Sequence, residues 1–137
     1  SAINAPDIRI TTVDGAMEDG IAKTDFPLAS RLSQPQLTPF VQNFMNITSG
    51  KADIVFAEPS LVLEFLTANP GALREVAPDH PLRVFGNSFV IGRGEGGLLH
   101  FMDASLRELL YSGQVEKILQ RYEAAPGQFR RAVKPYQ

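Results

Sequence analysis

Apolar and polar residues follow two rhythms along this chain, one of period two and one of period near 3.6. Asp7-Ile8-Arg9-Ile10-Thr11-Thr12-Val13 alternates and is rich in β-branched residues, which predicts a first strand ended by Asp14-Gly15. A second short strand is expected over 28–33. Residues 52–57 are apolar except for Asp53, the pattern of a strand covered on both faces. Gly50 before it and Pro59 after it are the punctuation of one helix ending and another beginning, so this stretch is expected to be the centre of an α/β unit.

Helical spacing fills the intervals. A short helix is expected over 16–23, capped by Asp14 or a neighbour, with Glu18 and Asp19 in its first turn where they suit the helix dipole. Thr38-Pro39 reads as a cap followed by a first-position proline, and Phe40, Val41, Phe44 and Met45 then share one face. After Pro59, residues Leu61, Val62, Phe65 and Leu66 predict a helix that stops before Asn69-Pro70-Gly71. Beyond a turn-rich stretch at 70–81, strands are expected at 82–85 and 88–91, separated by Gly86-Asn87. Leu98, Leu99, Met102, Leu106, Leu109 and Leu110 form a helical stripe ended by Gly113, and Val115, Ile118, Leu119 and Tyr122 form a second. The tail from Ala124, with Arg130, Arg131 and Lys134, reads as a solvated or wrapping extension. The pattern as a whole predicts a three-layer α/β fold, a central mixed sheet with helices on both faces.

Composition narrows the function classes. The 137 residues fit one domain or one lobe of a larger protein. With 44% hydrophobic residues, 20% charged residues and a formal charge of −2, the chain carries neither a disordered signature nor the basic footprint of a nucleic-acid binder. No apolar run has the length of a membrane span. The chain has no cysteine, which excludes disulfides and thiolate metal sites. No secretory leader is recognisable at its start, as expected of a cytosolic protein or of the mature or shortened form of an exported one.

Candidate chemistry is sparse. Glu58 falls at the carboxyl end of the expected strand 52–57, the edge at which open α/β sheets bind ligands, and its competing role is as cap of the helix that starts at Pro59. Gly92-Arg93-Gly94-Glu95-Gly96-Gly97 has neither the dinucleotide fingerprint nor the lysine of a nucleotide loop, and reads as a turn before a helix. His80 and His100 are isolated in sequence and read as structural or surface residues. Phe40, Phe44 and Met45 read as core.

Three stretches resemble the type-2 periplasmic solute-binding proteins, especially the amino-acid branch of ABC importers, the bacterial extracellular solute-binding family 3. Residues 8–15 look like the strand and glycine turn that open the family's second lobe. Thr48-Ser49-Gly50-Lys51-Ala52-Asp53-Ile54-Val55-Phe56-Ala57-Glu58 looks like its "G-K/R-x-D-x-x-x-x-D" segment, and 84–93 with Tyr111-Ser112-Gly113-Gln114-Val115-Glu116-Lys117-Ile118 is similar to its return strand and closing helices. The resemblance implies a two-lobed protein that closes on a small polar solute, an amino acid or related amine, and delivers it to an ABC transporter permease in the membrane. It implies a periplasmic location, no enzymatic activity, no cofactor and no nucleic-acid partner. Residues 7–81 would be the second lobe, 82–123 the hinge crossing and carboxyl-terminal part of a first lobe that is mostly absent, and 124–137 a tail. The leucine stripe would then be covered by a dimer partner or an exchanged segment.

Carried over by position, Glu58 matches the family acid that holds a ligand's amino group, and Gly15, Ala16 and Met17 match the turn whose amides receive its carboxylate. Asp14, Glu18 and Gln34 complete the ligand-facing set implied by the resemblance. The family usually has aspartate where Glu58 stands and threonine or serine where Ala16 stands. Together with the charges of Asp14, Glu18 and Asp19, these departures leave room for a cationic or neutral ligand. The fold also serves as a sensing lobe of receptors and sensor kinases, and in dehydratase-like enzymes, where a buried Glu58 would act as general acid or base.

Overall fold

The alternating residues at the start of the chain form the strand about which the first half is built. The computed structural model describes residues 2–77, 80–124, 128, 129 and 131. The chain divides into two compact units, Ser1–Val76 and Ala77–Gln137. The first contains β1 (Arg9–Val13), α1 (Met17–Asp25), β2 (Ser30–Gln34), α2 (Val41–Thr48), β3 (Ile54–Val55) and α3 (Pro59–Ala68). The sheet order is β2-β1-β3 and both pairings are parallel, with Thr11 opposite Leu32 on one side and Val55 on the other.

Successive strand residues point to opposite faces, and the contacts of β1 divide accordingly. Ile10 packs in a buried cluster with Ile21 and Ala22 of α1, Phe26 and Ala29. Thr11 bonds Asn43 and Asn46 of α2. Helices α1 and α2 therefore cover opposite faces of the sheet. Helix α3 lies on the α2 side, through Phe44 and Phe65, whose ring centroids are 4.8 Å apart.

This is the expected α/β layering with three corrections. The centre is β1 rather than 52–57: that segment contributes the two-residue edge strand β3, and Ile54 and Val55 are half-buried. All three strands are parallel, so the antiparallel member of a mixed sheet is missing among the described residues. Helices α1 and α2 also start later than their cap signals suggested. Ala16 and Phe40 hold the N-cap positions, and neither Asp14 nor Thr38 caps by its side chain. Gly50 closes α2 in the left-handed conformation, φ 71°, as its position predicts.

At the amino edge, Arg9 fastens three segments together. Its guanidinium donates to Asp53 at 2.7 and 2.9 Å and to the Gly50 carbonyl at 2.9 Å, and its backbone N–H donates to Asp53 Oδ2. The one charged residue in the apolar run is thus half of a strand-to-strand ion pair.

The second unit contains α4 (Gly96–Tyr111) and α5 (Gln114–Tyr122), joined at Gly113 with φ 72°. Both helices follow their apolar stripes, and the glycine-rich turn before α4 is as expected. The strands expected at 82–85 and 88–91 do not form. These residues are irregular, and all but Ile91 are exposed. Strand propensity expresses fit to a pleated, half-buried surface, and the second unit offers no ladder among its described residues. Arg131 turns back onto α5 and pairs with Glu116 at 3.0 Å and with Glu123. Arg130 and Lys134 lie outside the described residues.

Candidate functional site

The loops at the carboxyl edge of the sheet leave in opposite directions. The chain after β1 enters α1 on one face, whereas the chain after β3 enters α3 on the other. That divergence makes the carboxyl ends of β1 and β3 a topological switch point, the place at which α/β sheets receive ligands. Asp14, Gly15 and Ala16 follow β1 on one side of it, and Glu58 follows β3 on the other. Gln34, the last residue of β2, lies at the same edge, where its carbonyl accepts the Asp14 N–H at 2.9 Å.

Glu58 occupies the N-cap position of α3, but its side chain makes no capping hydrogen bond and is exposed. Pro59 has no N–H to offer, and glutamate is a poor capping residue. The carboxylate is left facing water at the sheet edge. Asp14 is likewise exposed.

Glu18 behaves differently. The odd-numbered backbone groups of β1 point toward β3: Arg9 N–H reaches Asp53, and Arg9 C=O accepts from Asp53 N–H at 2.8 Å. Beyond Val55 the ladder ends, and the Val13 N–H would be left without a strand partner. Glu18 Oε1 accepts it at 3.3 Å, with the residue 6% exposed. The carboxylate therefore takes the place of the partner that a continuation of β3 would have offered, at the carboxyl end of β1.

The turn amides are similarly engaged. Ala16 N–H donates to the Val13 carbonyl at 3.0 Å, and Gly15 donates a backbone hydrogen bond to Asp19. Of the three amides expected to receive a ligand carboxylate, Gly15 and Ala16 are thus bonded within the chain, and Met17, as the first residue of α1, is the one without a helical partner. Asp19 is buried beside them. It accepts from Lys23, from Arg31 at 2.8 Å and from Thr12 at 3.5 Å, and the Lys23 hydrogen bond foremost, against the desolvation of burial, holds its carboxyl below the usual range.

A polar trio under α2 was not singled out from the sequence. Thr11 donates to Asn43 Oδ1 at 2.7 Å, and Asn46 donates to Thr11 Oγ1 at 3.0 Å. Asn43 is fully buried, and its Nδ2 has no partner among the described residues. Two asparagines three apart in α2, each a weak helix former, were the available signal.

A groove of about 560 Å³ lies between α2 and α3 in the first unit, lined by Phe40, Val41, Phe44, Met45, Leu61 and Phe65 among others. It contains none of the predicted site residues. The switch point is the better candidate because the strand order puts the polar residues after β1 and β3 at one edge of the sheet, whereas the groove is mostly apolar. No group of three metal-ligating side chains is found among the described residues, and His80 and His100 are exposed. No described helix is long and apolar enough to cross a membrane. No protein-family model and no curated protein matches the chain.

Proposed function

We propose that the chain is the ligand-holding lobe of a solute-binding protein that takes up a small amine-bearing solute at the carboxyl edge of its sheet. What supports this reading is the topological switch point between β1 and β3, with exposed carboxylates at Asp14 and Glu58 after the two strands and the buried Glu18 bonded to the end of β1. Glu58 receives the solute's amino group. Asp19 and the Val13 carbonyl already engage the Gly15 and Ala16 amides that a bound carboxylate would need, so the preferred solute is a cation or a neutral amine rather than an acid. Delivery to an ABC permease from the periplasm is the role that fits such a lobe. The irregular segment 82–91 and the helices after it would then belong to the hinge and the opposite lobe.

The test is a titration of the isotopically labelled chain with putrescine, arginine and glutamate, followed by amide shifts and calorimetry. Putrescine and arginine should shift the amides of 14–18 and 58, and glutamate should bind more weakly. Glu58→Ala should weaken the amines by about 1.5–3 kcal/mol, the worth of a hydrogen bond to a charged group, with the thermal melt unchanged. Unchanged affinity together with a lowered melting temperature would return Glu58 to a structural role.

A further inference from the structure

Helices α2 and α3 meet through their rings and leave the groove open beside that contact. Phe44 and Phe65 are 2% and 8% exposed with centroids 4.8 Å apart, and Phe40 stands edge-on to Phe44 at 5.3 Å. The groove's volume of about 560 Å³ lies within the ~300–1,000 Å³ of small-molecule sites.

Helix α3 lines the groove with Leu61, Glu64, Phe65 and Ala68, the three- and four-residue spacing of a single helix face. Glu64 thus stands where that spacing calls for an apolar residue. It is exposed and has neither a hydrogen bond nor an ion pair among the described residues. No lysine or arginine occurs at 32–50 or 52–73, so neither helix supplies a counter-ion. The other polar residue of the lining, Asn69, already donates to the Phe65 carbonyl at 3.0 Å. An occupant that was wholly apolar would cover the Glu64 carboxylate without replacing its water, and an acid would be repelled. A cation on an apolar body meets both parts of the lining. A protein-sized partner is not favoured, because Val41 and Met45, 50% and 49% exposed, offer far less than the ~800 Å² that each side gives to a standard interface.

We propose that this groove is a second binding site, separate from the sheet edge, for a small hydrophobic amine. The ring or chain of the amine lies between α2 and α3, and its ammonium group pairs with Glu64. The inference does not depend on the solute site at the carboxyl edge, and the two sites are told apart by which amides respond.

The isotopically labelled full chain is titrated with 3-phenylpropylamine, with 3-phenylpropionate as the same skeleton of opposite charge and propylamine as the charge without the ring. 3-Phenylpropylamine should shift the amides of 40–45 and 61–69 and bind about fivefold more tightly than 3-phenylpropionate, the worth of an exposed charge pair. Propylamine should bind at least about tenfold more weakly, for want of a ring to bury. Glu64→Gln alters an exposed side chain and should bring the phenyl amine and the phenyl acid to within about twofold of each other. Met45→Lys places a cation inside the groove and should abolish the shifts of 61–69 with an unchanged circular dichroism spectrum. Equal affinity of the amine and the acid for the native chain, a preference that survives Glu64→Gln, shifts confined to 14–18 and 58, or no shift up to ~10 mM would each overturn the proposal.

Discussion

Asp19 concentrates the electrostatics of the first unit in one side chain. A carboxylate in the first turn of a helix is favoured by the dipole, but one whose side chain is 3% exposed is tolerable only if charge and hydrogen bonds compensate it. Lys23 stands one helical turn along the same face, and Arg31 is brought over by the pairing of Ile10 with Arg31 between β1 and β2. Replacing Asp19 by asparagine leaves two cations that are already 50% and 38% exposed. The loss should therefore be that of charged hydrogen bonds, about 1.5–3 kcal/mol, rather than that of a stranded buried charge. The pH dependence follows from the direction of the shift. The folded carboxyl titrates below its ordinary 3.8, so the stabilisation is present above that value and is lost as pH falls through the folded pKa. Asp53, lowered to about 2 chiefly by the Arg9 side chain, adds a smaller exposed contribution over the same range. Melting temperature should fall between pH about 4 and about 2, and Asp19→Asn should flatten that fall. Parallel slopes for parent and variant would assign the acid sensitivity elsewhere.

Elements were legible in the sequence to the extent that their signals were local. Helices α2 to α5 follow from apolar spacing with Pro59, Gly50 and Gly113 as punctuation, and β1 follows from its β-branched residues. Strand length was not legible, because a ladder needs a partner: 52–57 pairs at two positions, and 82–91 at none among the described residues. The carboxyl-edge positions of Gly15, Gln34 and Glu58 could be read from strand order. That Glu18 turns inward to Val13 could not, since it depends on where the β3 ladder stops. Two glycines give this distinction a measurable form. Gly50 has φ 71° and open space where a side chain would go, so Gly50→Ala meets a conformational penalty alone, of about 1 kcal/mol. Gly20 lies inside α1, also with open space, and Gly20→Ala should stabilise by about 0.5–1 kcal/mol. Chemical denaturation of the two variants should give opposite signs. The same sign for both would mean that the turn after α2 has another conformation in solution.

At the scale of the whole molecule the two units are unequally provided with interior. The first has a core of its own in Ile10, Ile21, Ala22, Phe26 and Ala29, with Phe44 and Phe65 buried on the opposite face of the sheet. The second has two amphipathic helices, an ion cluster of Arg131 with Glu116 and Glu123, and no buried residue in either helix. Stability is therefore expected to be uneven: opening free energies track buried apolar contact, and β1 should hold the slowest-exchanging amides. Helices α4 and α5 bury no residue, so their amides should exchange faster than those of β1, which hydrogen-exchange mass spectrometry on the intact chain would measure. Exchange in α4 as slow as in β1 would mean that burial does not set the order of local stability in this chain.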